Sequence, residues 1–166
     1  MYRIEARYLG SESASLTLTL PFEKRQKSRF RAVLDDGSEV ALALERGQPL
    51  RHQERLVTTC GRVVEVRAEP EPLSVASAKD PRLLCKAAYH LGNRHVPVAI
   101  APSHLAYHAD HVLDEMVAHL GLAITQETLP FEPESGAYGT GHAHLGGGHG
   151  TAAGKIHIHT SEPHEH

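Results

Sequence analysis

The chain is expected to fold as a small all-β barrel or sandwich over residues 1–70, a ferredoxin-like βαββαβ unit over 71–135, and a disordered His- and Gly-rich tail over 136–166. Three observations point there. Short apolar segments of period two, broken by turn residues, fill the first part. Capped helical stripes alternate with strand-like runs in the second. The last thirty-one residues hold seven of the fourteen histidines and almost no large apolar side chains.

In the first part, Leu16-Thr-Leu-Thr-Leu20 alternates and stops at Pro21. Arg31–Leu34 and Val40–Leu44 flank Asp35-Asp36-Gly37-Ser38, a hairpin signal in which Gly37 supplies the positive φ that such turns need. Arg62–Arg67 closes the set, and five to seven strands are expected. Glu69-Pro70-Glu71-Pro72 then predicts an extended, semi-rigid connector, because proline at two alternate positions argues against a strand.

Past that connector, Leu73–Ala78 is expected to be a strand. Asp80-Pro81 supplies an N-cap and a first-turn proline, and Leu84, Ala88 and Leu91 share a helical face. Gly92 and Asn93 both tolerate left-handed backbone, so the helix should end there and present Arg94-His95. Val96–Ala101 and Leu105–His108 predict a strand pair around Pro102-Ser103. Asp110 caps a second helix through Leu120, with Leu113, Val117 and Leu120 as its buried stripe and Gly121 as its stop, and Leu122–Leu129 is the last strand. The resulting βαββαβ order places both helices on one side of an antiparallel sheet, so the other sheet face needs cover.

Composition narrows the function. With 166 residues and 40% hydrophobic content the chain supports a modest core, and its net charge of −3 with 5% aromatic residues and no Trp argues against nucleic-acid binding. The run Lys24-Arg25-Gln-Lys27-Ser-Arg29-Phe-Arg31 packs five cations into eight residues, which suits a solvated turn and an edge strand, with partner docking as the sharper alternative. Charge in Met1-Tyr-Arg-Ile-Glu5 does not fit a signal peptide, and no stretch nears eighteen apolar residues, so no membrane association and a cytoplasmic location are expected. Cys60 and Cys85 lack metal-knuckle spacing and are expected to be small core residues.

Histidine carries the chemistry. Imidazole is largely neutral near pH 7 yet offers a good lone pair, so its clustering suits borderline divalent metals. His142, His144, His149, His157, His159, His164 and His166 sit among glycines in a segment too poor in apolar surface to offset its backbone entropy, which predicts a mobile metal-gathering arm. Within the globular part, Tyr89-His-Leu-Gly-Asn-Arg-His-Val-Pro97 presents His95 just before a strand. Tyr107-His108-Ala-Asp110-His111-Val-Leu-Asp114-Glu115 gathers two imidazoles and acids at a helix start, where His111 and Glu115 share a face one turn apart.

Those two motifs, the β-then-βαββαβ order and the His-rich end together resemble the urease accessory nickel metallochaperones, the UreE family, over essentially the whole chain. The resemblance implies an N-terminal peptide-binding-like domain and a C-terminal domain that binds metal and forms a homodimer. It also implies nickel as cargo, with delivery to the urease apoprotein and its accessory proteins, including an accessory GTPase. The family's interface ligand falls on His95, paired with His95 of the second copy. Of the family's further His-x-His pair, the second position matches His111 and the first falls on Ala109, which has no donor, leaving His108 as its substitute.

Elementary coordination chemistry agrees with the His95 assignment. Two imidazoles meeting on a twofold axis supply two nitrogens and leave positions for tail histidines or water, and a partly filled shell suits a carrier that must release. Nitrogen donors suit zinc and copper as well as nickel. A metal-dependent hydrolase needs three fixed ligands and a placed carboxylate, and no His-Glu-x-x-His or comparable pattern exists, so the chain is not expected to be an enzyme. A divalent-metal buffer or storage protein working through the tail alone is the alternative.

Overall fold

The computed structural model describes residues 1–135. Their elements run β1 (Tyr2–Arg7), β2 (Leu16–Leu20), α1 (Phe22–Arg25), β3 (Arg29–Val33), β4 (Glu39–Ala43), β5 (Arg55–Thr58), β6 (Val63–Ala68), β7 (Pro70–Ser77), α2 (Pro81–Gly92), β8 (Ala99–Ile100), β9 (His104–His108), α3 (His111–His119) and β10 (Ala123–Pro130).

The first six strands form one sheet in the order β2-β6-β5-β1-β4-β3, with β1/β4 and β2/β6 parallel. It curls until its two edges nearly meet: Asp35, in the β3–β4 turn, donates its N–H to Thr17 O at 3.0 Å and accepts from Thr19 N at 3.0 Å. The turn itself forms as expected, with Gly37 at φ 87°. Alternation then does the packing: Leu16, Leu18 and Leu20 point inward with Ile4, Val40, Leu42, Leu56, Val64 and Val66, and all are buried.

The remaining strands form a second sheet, β10-β7-β9-β8, antiparallel throughout. Leu84, Ala87 and Leu91 of α2 and Val117 of α3 bury against Ala76, Leu105 and Tyr107. Both caps form, since Asp80 accepts from Arg82 N at 2.9 Å and Asp110 from Val112 N at 2.8 Å. Gly121 ends α3 at φ 95°.

Residues 69–72 are not a connector. Pro70 and Pro72 begin β7, opposite Pro130 and Thr128 of β10. Pro72 O accepts from Ala109 N, so its nitrogen also faces the β9 side, beyond the end of that strand, and Pro70 faces the same way two residues earlier. Neither proline removes a bond from the β7–β10 ladder. The alternate spacing is what lets both fit.

The helix-free face of the second sheet is covered in part from within the chain. Phe22 of α1 and Phe131, just past β10, pack on Leu73, Val75 and Ala106. Arg25, expected among solvated cations, is instead buried: Nε donates to Leu20 O at 3.2 Å, Nη1 to Leu50 O at 3.0 Å, and the guanidinium also meets Glu132 and Phe131 O. Residues 131–135 continue as a strap, with Glu134 N on Val98 O at 2.8 Å and Arg51 Nη1 on Pro133 O at 2.8 Å. Cys60 and Cys85 are both exposed, not in the core. Cys60 occupies a tight turn before Gly61, and Cys85 lies off the Leu84–Ala87–Leu91 stripe of α2.

Candidate metal centre

The end of α2 decides how His95 is displayed. Val96 N donates to Leu91 O at 3.2 Å and His95 N to Gly92 O at 2.9 Å, the paired bonds of a Schellman motif. The left-handed residue is His95 itself, at φ 57°. Gly92 remains inside the helix, and Asn93 is right-handed at φ −64°. The sequence therefore located the turn and misassigned which residue bends it. Glycine is usual at such a position, and a side chain there costs about 1 kcal/mol, so His95 holds a place that backbone preference alone would give to glycine. Arg94 Nη1 braces the turn by donating to His90 O at 3.2 Å, and the His95 side chain is exposed.

His111 opens α3 and is exposed. A part-buried polar chain, running from buried Tyr107 and Ser74 to exposed Gln126, sets the pose of that helix. Tyr107 donates its hydroxyl to Asp114 Oδ1 at 2.8 Å; Gln126 Nε2 donates to Asp114 Oδ2 at 2.8 Å and to Ser74 Oγ at 2.9 Å. Burial, and then the Asp114 carboxylate, push the Tyr107 phenol well above its ordinary value, which keeps it a neutral donor. This network had no signal in the sequence beyond scattered polar residues. It was missed because its members come from β7, β9, β10 and α3.

His108 faces away from the helices. Its register partner on β7 is Leu73, its Nε2 lies 2.9 Å from Glu71 Oε2, and its ring centroid is 4.4 Å from that of Phe131. Glu71 Oε1 in turn accepts from Phe22 N at 2.8 Å, so His108 joins the contact between the two sheets. Binding an ion through His108 Nε2 would break its link to Glu71. Ala109 donates its N–H to Pro72 O.

Among the described residues, no three His, Cys, Asp or Glu side chains are grouped to hold an ion. His95 and His111 each present an exposed imidazole without the remaining donors of a tight shell. His142, His144, His149, His157, His159, His164 and His166 lie outside the described residues.

Comparison with known proteins accounts for both halves. The family model for the UreE urease accessory protein N-terminal domain matches residues 5–69, and that for its C-terminal domain matches residues 71–166. A urease accessory protein UreE of Pseudomonas putida (strain W619) is 54% identical over 129 residues, covering 77% of this chain and 80% of that protein. Those of Alkalilimnicola ehrlichii and Citrobacter koseri are 50% and 51% identical, covering 84% and 80% of this chain and 85% and 92% of theirs. These relatives are named as accessories to an enzyme, and this chain is likewise not an enzyme. With one model matching residues 5–69 and the other 71–166, the chain belongs to the UreE urease accessory protein family.

Proposed function

We propose that this protein acts in urease maturation as a metallochaperone that carries nickel and delivers it to the urease active-site assembly, with the accessory GTPase among its partners. The exposed His95 imidazole, held in a left-handed turn, is the observation that carries this proposal. Two copies would meet through their C-terminal domains so that both His95 rings grip one ion, with His111 and the tail histidines offering further donors. Exposed apolar side chains support such a face: Tyr89 and Ile100 flank the His95 turn, and Val112 follows His111. Zinc or copper fits the same donors, so nickel is favoured by the family rather than by ligand type.

The strand order β10-β7-β9-β8 with both helices on one face supports a ferredoxin-like C-terminal unit. We take 1–70 and 71–135 as the two domains, with the His-rich residues 136–166 beyond them outside the described residues; the boundary at 70 is supported by where the two family models meet. No helix among the described residues is long and apolar enough to cross a membrane, and a cytoplasmic setting suits the role. Calorimetry with nickel tests the proposal on the whole chain, its His95→Ala variant and a chain ending at Ser135. The shortened chain is expected to keep one tight ion per dimer and lose weaker ones, and His95→Ala to lose the tight one. Unchanged tight binding in His95→Ala would refute the assignment.

A further inference from the structure

We infer that the outer edge of β10 is a docking strand for residues 155–160 of this same chain, which lie outside the described residues. β10 is the long edge of the second sheet, since only β7 pairs with it. The bond from Ala109 N to Pro72 O shows that even-numbered β7 residues face β9, so the odd-numbered ones face β10, opposite Ala123, Thr125, Glu127 and Leu129. Ile124, Gln126 and Thr128 therefore aim their N–H and C=O groups outward. Folded proteins guard such an edge with lysine, internal proline, a bulge or short length. Ala123–Leu129 pairs with β7 without a bulge and carries only the charge of Glu127, so its outward amides lack that protection.

The two faces beside the edge differ in chemistry. On the helix-free face, Val75, Ser77, Ala123, Thr125, Glu127 and Leu129 border an open trough of about 740 Å³, next to the part of that face covered by Phe22 and Phe131. On the helix face, Gln126 donates to Asp114 Oδ2 at 2.8 Å, which puts a carboxylate one side chain from the edge, and the exposed Glu115 follows it on α3. A strand that fits is apolar on the first side and basic on the second.

One stretch past Ser135 has that pattern. Lys155-Ile-His-Ile-His-Thr160 alternates with period two between Gly154 and Pro163, and Ile156 and Ile158 are the only isoleucine or valine side chains in residues 136–166. Paired on β10 with both isoleucines toward the trough, the segment turns Lys155, His157 and His159 toward Asp114 and Glu115. Ile124, Gln126 and Thr128 then gain main-chain partners.

The tether has the right length. Ser135 is held by Gln48 and Arg51, and only residues 131–135 separate it from the end of β10, a span of at most about 18 Å. Residues 136–154 are rich in glycine, and a glycine-rich linker of that length averages about 25 Å end to end. Such a linker holds its segment at an effective concentration of about millimolar near β10, which favours the chain's own strand over one from another molecule.

Amide hydrogen exchange followed by NMR on the full chain, with chelator present, provides the test. Exchange at Ile124, Gln126 and Thr128 is expected to be slower in wild type than in Ile156→Asp/Ile158→Asp by about fivefold or more, with Thr125 and Glu127, which face β7, unchanged. Thr128→Pro removes one outward N–H without touching the β7 ladder, and it should speed exchange at Ile124 and Gln126 while circular dichroism stays that of wild type. Equal exchange at the three outward amides in wild type and the Asp variant overturns the inference. So does protection that grows with protein concentration, which would assign the strand to a second copy. Because no metal is present, these outcomes are independent of the carrier function proposed above.

Discussion

Arg25 Nη1 and Glu132 Oε1 form an ion pair across 107 positions of sequence, with the arginine side chain sealed from solvent. The pair ties α1 of the first sheet to the strap that leaves the second, so the two sheets share one buried charge.

Removing that charge should be costly. Arg25→Met leaves three carbonyls without their donor and Glu132 with only Arg51 and the His52 N–H, and a loss of about 2–4 kcal/mol is expected for breaking this part-buried pair from one side. The midpoint of urea unfolding measures it. Adding Glu132→Gln should recover part of the loss, because the carboxylate that lost its nearest cation goes with it. A single-variant loss below about 1 kcal/mol would show that the pair does not hold the sheets together.

Position 95 separates backbone strain from ligand chemistry. His95→Gly and His95→Ala both remove the imidazole, so nickel affinity should fall alike in the two. Stability should not: glycine accepts the φ of 57° and alanine does not, making His95→Gly the more stable by about 1 kcal/mol. Chemical denaturation of the two metal-free proteins, compared side by side, checks this. An alanine variant as stable as the glycine one would place the strain elsewhere.

Tyr107 makes alkaline stability diagnostic. Its phenol is held neutral in the fold, so the unfolded chain loses that proton first. Stability from this group is complete below pH of about 10 and declines as pH rises above it. Tyr107→Phe should cost about 1–2 kcal/mol at neutral pH by leaving Asp114 Oδ1 short of a partner. It should also flatten the alkaline decline. Parallel pH–stability curves for wild type and variant would contradict the role given to the buried Tyr107 hydroxyl.

Much of the second domain was legible because its signals are local. Asp80, Pro81, Asp110 and Gly121 each act within one turn of themselves, and the apolar stripes of α2 and α3 follow from a period of 3.6. What escaped depends on distant residues. Whether Pro70 and Pro72 can join a strand depends on where β9 stops, and whether Arg25 is solvated depends on Phe131 and Glu132. The display of His95 falls between these cases. Its place after the helix was readable, yet which residue turns left-handed is settled by Val96 bonding back to Leu91. The exposed His111 lay where its Asp110 cap predicted, while His108 was drawn to Glu71 by a contact between sheets.

Native mass spectrometry of the chain ending at Ser135, titrated with nickel, addresses the shared ion most directly. Two copies holding a single tightly bound ion, with that species lost in His95→Gly, is the expected spectrum. Monomers each saturated with nickel, or a dimer whose ion survives His95→Gly, would contradict a site built from paired His95 side chains.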